Sequence, residues 1–458
     1  MASQKQSTRR GFLKQSAAVG AGFWVAGGVA STARAQANSQ LQIAKIGVSG
    51  KGRSDMTYAM RFGKIHAVCD VDRRLLEPAA RARKTEHKFT DYREMLDKLG
   101  DQIDVVIIST PDHTHAVMAG KAMRMKKHVY VQKPLTHTIW EARELARIAR
   151  EMGVVTQMGN QYTALPAMRQ AAARIRAGQV GKVTDVYVWT NRPIWPQGLE
   201  RPASAPVPKE VDWEAWIGPA PMRDYADAAY HDFRWRGWWD FGTGSLGDMA
   251  CHTCNLPFMA LNMRNPTAVE ASSSPNNKDS YPATSKIEFD FPELDGRPAF
   301  KLHWSDKSQL PPEELYAEFL RKPAADGKPR KLSDSGALIV GDKCTMYAAG
   351  DYAQQGIELS GGTEWIDAEY PHAPNESADS DLCERSHVEE FYNAIHDPKQ
   401  APTSNIPDYS GPFTETILLG NLAVWKGGRV EWNAETLTAD DPSLAKVVKP
   451  EYRDGYEV

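Results

Sequence analysis

Between residues 40 and 160, short apolar runs alternate with segments of helical period, the arrangement that builds a parallel sheet covered by helices on both faces. The strand candidates are 41–48, 65–71, 103–110, 128–131 and 154–158, nearly all apolar, as strands become when both of their faces are covered. Thr138 and Glu141 make a capping box that opens a helix, and Ile139, Ala142, Leu145, Ala149 and Met152 form its apolar stripe.

Beyond 160 the rhythm changes. A helix over 165–177 precedes a strand over 183–191, and a Pro- and Trp-rich stretch follows over 192–239. Strands over 286–291, 299–304 and 337–348, then helices over 387–395 and 413–426, predict a largely antiparallel sheet with helices on one side. The expected fold is therefore α/β: an N-terminal Rossmann doubly wound parallel sheet at 40–160, then a C-terminal α+β domain at 161–450. Two domains suit 458 residues, because single cores stop growing near about 250 to 300.

The first 35 residues read as something other than fold. Thr8-Arg9-Arg10-Gly11-Phe12-Leu13-Lys14 has the form of a twin-arginine signal, followed by an uncharged stretch over 17–30 and an A-x-A cleavage site at Ala33-Arg34-Ala35. That stretch is shorter than the roughly 20 apolar residues a spanning helix needs. The expectation is export through the twin-arginine route to the periplasm or an equivalent compartment, with no stable membrane anchor after cleavage. Cleavage removes five cations and no acid, taking the formal net charge from −3 to −8. An acidic chain without basic tracts makes a poor nucleic-acid binder. The five cysteines are odd in number and dispersed, so no disulfide framework is legible.

Candidate chemistry begins at the first strand, which runs into Gly47-Val-Ser49-Gly50-Lys-Gly52. Gly47, Ser49 and Gly52 hold the three positions of a G-x-G-x-x-G dinucleotide turn, with Ser in the middle and Gly50 as an extra glycine. The second strand ends in Asp70, placed to accept ribose hydroxyls and repel a 2′-phosphate, which favours NAD; Arg73 and Arg74 leave NADP possible. Ligands bind beyond the carboxyl ends of such strands, where Thr110-Pro-Asp-His113-Thr-His115 and Gln132-Lys133-Pro134 lie. Much later, a helix starting at Asp248 would carry Asp248 and His252 on one face.

Together these pieces resemble the Gfo/Idh/MocA oxidoreductases: the glycine turn, T-P-x-x-x-H at 110–115, K-P at 133–134 and D-x-x-x-H at 248–252, with His387-Val-Glu-Glu-Phe391 and Gly428-Arg-Val-Glu-Trp432 resembling the family's late helix and tail. Ser49 and Gln132 depart from the family's usual Gly and Glu. The resemblance implies hydride transfer between a sugar or polyol carbinol carbon and a nicotinamide cofactor. His252 would take the hydroxyl proton, Asp248 would orient the imidazole, and Lys133 would hold the substrate oxygen. Thr110, His113 and His115 would line the cofactor. By analogy the chain would also be a homo-oligomer.

Each residue also has a structural alternative: Lys133 a solvated strand end, Asp248 a helix cap, His252 a packing residue. Cys251 and Cys254 flank His252, but no second cysteine pair or histidine motif completes a metal site, so none is expected. Seven of the thirteen tryptophans fall at 189–239, either as a carbohydrate platform or as packing. Export implies a tightly held cofactor regenerated within each cycle. It keeps open a second function, an NAD-dependent glycoside hydrolase using transient oxidation, elimination and re-reduction; a third is a sugar-binding module with a vestigial site.

Overall fold

The computed structural model describes residues 40–458 except 295, 322, 324–326 and 372–378; the twin-arginine segment and its cleavage site lie outside the described residues. Leu41–Val458 forms one compact unit containing two sheets.

The first sheet has six parallel strands: β1 (Leu41–Ile46), β2 (Gly63–Cys69), β3 (His87–Phe89), β4 (Val105–Ile108), β5 (His128–Val131) and β6 (Thr156–Met158), in the order β3-β2-β1-β4-β5-β6. The order reverses beside β1, and a groove opens past the strand ends there. The helices are α1 (Lys51–Ala59), α2 (Arg73–Arg83), α3 (Tyr92–Leu99), α4 (Asp112–Arg124) and α5 (Ile139–Met152). The expected capping box opens α5, with the Glu141 carboxylate accepting from the Thr138 amide at 2.9 Å. The three-residue β3 escapes sequence patterning because it is too short to show a period.

After α6 (Pro166–Arg176) comes a nine-stranded sheet of β7 (Val183–Trp189), β8 (Ala268–Ser273), β9 (Ser285–Phe291), β10 (Phe300–Ser305), β11 (Gly336–Gly341), β12 (Thr345–Ala349), β13 (Gly356–Leu359), β14 (Arg429–Asn433) and β15 (Thr438–Ala439). Its order is β13-β12-β11-β7-β10-β9-β8-β14-β15, and only β10 and β7 pair in parallel. The single strand expected at 337–348 is a hairpin, because Asp342 and Lys343 turn the chain between β11 and β12, with the Gly341 amide donating to the Cys344 carbonyl at 3.2 Å. One face, with Val186, Ile287, Phe289 and Leu302, is buried under α8 (Gly244–Thr253) and α11 (Gly411–Lys426). A Cβ on Gly420 of α11 would stand 2.5 Å from Leu246 of α8 and 2.9 Å from Phe289, so a larger residue there would have to push those side chains aside. The other face carries a charge ladder of Asp185, His303, Glu288 and Lys301.

Also present are α7 (Trp213–Ile217), α9 (Asn255–Leu261) and α10 (Ser380–His396). One continuous buried cluster runs from Ala44 and Val106 through Leu246 and Met249 to Ile287 and Phe289, so the elements carrying the candidate site share a core across both sheets.

Candidate active site

The turn between β1 and α1 is built from three glycines with different duties. Gly47 (φ 76°) donates its amide to the Cys69 carbonyl at 2.9 Å, and a Cβ there would stand 2.2 Å from the Ser109 carbonyl oxygen. A Cβ on Gly52 would lie 2.1 Å from the Gly47 oxygen. Gly50 adopts φ 51°, ψ −126°, a backbone region that needs glycine, and a Cβ there would meet open space. Ser49 has no positive φ, so the unusual residue falls where no glycine is required and Gly50 takes the glycine-only conformation. At the end of β2, the Asp70 carboxylate accepts the Val48 and Asp72 amides, each at 3.0 Å. Burial raises its pKa against those two bonds.

Around them lies a groove of about 670 Å³, lined by the turn, Asp70, Thr110, Gln132, Lys133 and, from later in the chain, Trp216 and Arg236. Under the turn sits a polar cluster that sequence reasoning missed. Lys45, fully buried, donates to the Ser109 hydroxyl at 2.7 Å and the Ile46 carbonyl at 2.8 Å. Ser109 Oγ donates to Asp55 at 2.6 Å, and Gln132 Nε2 donates to both Asp55 oxygens at 3.1 and 2.9 Å. Burial drives the Lys45 pKa down to about 7, with Asp55 and Asp70 opposing the fall. The available signal was the lysine itself, in a strand that reads apolar on both faces.

Lys133, directly after β5, reaches across to α8. Its Nζ donates to Asp248 Oδ1 at 2.8 Å and to the Asp248 carbonyl at 3.0 Å, while Arg236 Nε donates to the same Oδ1 at 3.4 Å. Burial alone would raise the Asp248 pKa, but Lys133 and Arg236 outweigh it and hold the group at about 2. Burial likewise opposes charge on Lys133, yet the touching carboxylate raises its pKa. His252 lies one turn along α8. Burial lowers its pKa well below the usual value and Lys133 adds to the effect, so the ring stays neutral. Its Nδ1 has no hydrogen-bond partner among the described residues, and Tyr352 packs edge-on against it at 4.6 Å between centroids while stacking on Tyr162 at 4.1 Å.

Several expectations change. The helix begins at Gly244, a turn before Asp248, so Asp248 is not a cap. Nor does it hold the His252 ring: its hydrogen bonds run to Lys133 and Arg236, because the i, i+4 spacing stacks the two side chains without aiming one at the other. His113 and His115 brace loops instead of lining the groove. The His113 nitrogens lie 3.2 and 3.0 Å from the Phe241 and Trp216 carbonyls, and those of His115 lie 2.8 Å from Pro134 and Thr110 carbonyls. Thr110 does face the groove. All seven tryptophans at 189–239 are buried, while Trp216 and Trp235 also line the groove and Trp239 lines a second cavity. Trp213, Trp216, Trp235 and Trp238 share a cluster with Tyr230 and Phe241. That segment is tied to the end of β2 by Asp212 N to Val71 O at 2.9 Å and by His231 Nε2 to Asp72 Oδ2 at 3.0 Å. Cys251 donates its thiol to the Asp248 carbonyl at 3.2 Å, and burial pushes its pKa up to about 12, leaving it an unreactive packing residue.

Two family models match the chain. Residues 41–160 fit the oxidoreductase family, NAD-binding Rossmann fold, of the Gfo/Idh/MocA group, and residues 179–297 fit that group's C-terminal alpha/beta domain. The chain is 29% identical to scyllo-inositol 2-dehydrogenase (NAD(+)) of Bacillus subtilis over 197 residues, 42% of this chain and 52% of that one. It is 31% identical to a glycosyl hydrolase family 109 protein of a Shewanella species over 172 residues, 31% of this chain and 36% of the other. These alignments thus span about half or less of the curated relatives. Among solved structures, levoglucosan dehydrogenase in complex with NADH and levoglucosan shares the fold, with TM-score 0.58 and 16% identity over 86% of this chain and 100% of that one.

Proposed function

The chain belongs to the Gfo/Idh/MocA oxidoreductase family, and from that premise we propose that it moves a hydride between the carbinol carbon of a sugar or polyol and NAD held in the groove. The observation that carries this reading is the Lys133–Asp248 contact at 2.8 Å, which brings the end of a Rossmann strand against the helix bearing His252.

The groove fits the cofactor. Open space faces Gly50 at the N-terminal end of α1, where a pyrophosphate meets backbone amides, and Asp70 stands where an adenosine ribose would place its hydroxyls. When bound, NAD supplies the hydride acceptor. The protein's own residues do the rest. Lys133, kept cationic by Asp248, stabilises negative charge on the substrate oxygen, and the neutral His252 takes the hydroxyl proton. Asp70 disfavours a 2′-phosphate and so favours NAD over NADP. The test is the reduced-cofactor absorbance produced by the purified protein with a panel of sugars and polyols; silence across the panel, together with failure to bind NADH, would reject the reading.

A second reading, glycoside cleavage through transient oxidation, draws support from the family 109 relative. Release of free sugar without net reduced cofactor would favour it. Export through the twin-arginine route rests on Arg9-Arg10 and the Ala33-Arg34-Ala35 site, and a mature protein beginning at residue 36 would support it. Self-association rests on the family analogy, and a mass measured in solution tests it.

A further inference from the structure

We propose that the substrate is a carboxylate-bearing monosaccharide, a uronate or aldonate, and that Arg236 receives its carboxylate beside the Lys133–Asp248 pair. This rests on the oxidoreductase reading and narrows it.

Two cations meet one carboxylate at this point: Lys133 Nζ lies 2.8 Å and Arg236 Nε 3.4 Å from Asp248 Oδ1. Among the described residues no acid other than Asp248 pairs with either cation. Asp112 is buried, accepts the Thr243 hydroxyl at 2.7 Å, and is pushed by burial up to about 7. Asp351 is matched by Arg192 at 3.1 Å and Asp240 by Arg223 at 2.6 Å. Asp232 is exposed and lines the same groove, but it makes no ion pair with Arg236 or Lys133 among the described residues. Arg236 is partly exposed in the groove, and the ring of an oxidised nicotinamide would bring a further local positive charge. A neutral sugar would leave that charge imperfectly paired; an anion would complete it.

The guanidinium is also held in place. Trp235 and Phe233 lie under it at 4.2 and 4.5 Å to the ring centroids, and Nη1 donates to the Phe233 carbonyl at 3.0 Å. Nη2 has no partner among the described residues, so one edge remains for a planar, two-oxygen anion. A phosphate dianion would call for a second free cation, and Lys133 is committed to Asp248. Nor is Arg236 placed for the cofactor's pyrophosphate: it meets the lysine after β5, two strands across the sheet from the turn after β1.

The test titrates the full protein, saturated with NADH, with D-glucuronate, D-galacturonate and D-gluconate. It compares them with D-glucuronamide, D-galactose, sorbitol and glucose 6-phosphate, reading binding by fluorescence. At least one sugar acid is expected to bind tenfold or more tighter than its neutral twin. R236Q should erase that preference, and R236K, which keeps the charge but loses the planar fork, should retain part of it. Because the acid-to-neutral ratio is read first in the unaltered protein, the result does not depend on a variant folding. Equal or tighter binding of neutral twins, no binding of any acid, or preference for the phosphate overturns the proposal. Oxidation of neutral sugars alone would overturn it while leaving the oxidoreductase reading intact; absence of NADH binding would sink both.

Discussion

Two lysines are buried beside the same groove, and the protein treats their charges in opposite ways. Lys45, under the glycine turn, touches no carboxylate; a serine hydroxyl stands between it and Asp55, and burial wins, bringing its pKa down to about 7. Lys133 touches Asp248 at 2.8 Å and stays charged in spite of its surroundings. The difference is one intervening hydroxyl. A buried ammonium keeps its proton when a carboxylate meets it directly, and tends to lose it when the carboxylate is relayed. The two regions are neighbours in sequence: Gln132 feeds the cluster beneath the turn, and Lys133 feeds the one facing substrate. The first region therefore governs stability and the second chemistry, and each can be disturbed separately.

The largest effect is expected from Asp55→Ala. It strands the Gln132 amide and takes away the acceptor of the Ser109 hydroxyl, and each buried polar group left without a partner costs about 1 to 3 kcal/mol. Urea unfolding measures it; a loss below about 1 kcal/mol would show that the cluster does not brace the fold. Lys133→Ala should behave in the opposite sense. Asp248 keeps Arg236, so the fold survives, while kcat/KM for the identified sugar falls by about 10² to 10³, the range for removing one charge-stabilising donor. An unfolded Lys133→Ala protein, or one of normal turnover, would erase the division of labour.

How much of this was legible follows the same boundary. The glycine turn, Asp70 and the α5 capping box could all be read, because strand-end geometry and helix signals are local; Lys133 and Asp248 each stand out in the sequence, but their contact, across 115 residues, does not. Lys45 and Asp55 could not be paired from sequence, since their link passes through Ser109, 64 residues from Lys45 in the chain. His113 and His115 sit in a motif at the right strand end, yet both rings turn into the core, and only tertiary packing decides that. The tryptophan-rich segment left two readings open because aromatic composition is the same for a sugar platform and for a buried cluster. Arg236 was visible among those tryptophans, but its contact with Asp248 depends on how the segment folds back on α8.

A smaller effect is expected where the two regions join. Gln132→Glu would set a second carboxylate against Asp55, replacing a donated hydrogen bond with repulsion, at a cost of about 1 to 3 kcal/mol. Adding Asp55→Asn should return most of that loss, because one carboxylate and one amide again face each other in reversed order. Additive losses in the double variant would mean that the two side chains do not act through each other.

The finest test is the sign of pH dependence. Lys45 has a folded pKa near 7 against 10.5 for the free side chain, so between those values the unfolded chain holds a proton that the folded one lacks. Stability from this group therefore rises with pH across that window, by at most about 1.4 kcal/mol per pH unit. Lys133, with its pKa raised above 10.5, contributes stability fully below that value and loses it only as pH climbs through its folded pKa. Unfolding free energies at pH 7, 8 and 9 should therefore show the native protein gaining on Lys45→Met as pH increases, while its margin over Lys133→Met stays level. Parallel margins for the two variants would mean that contact with a carboxylate is not what separates the two lysines.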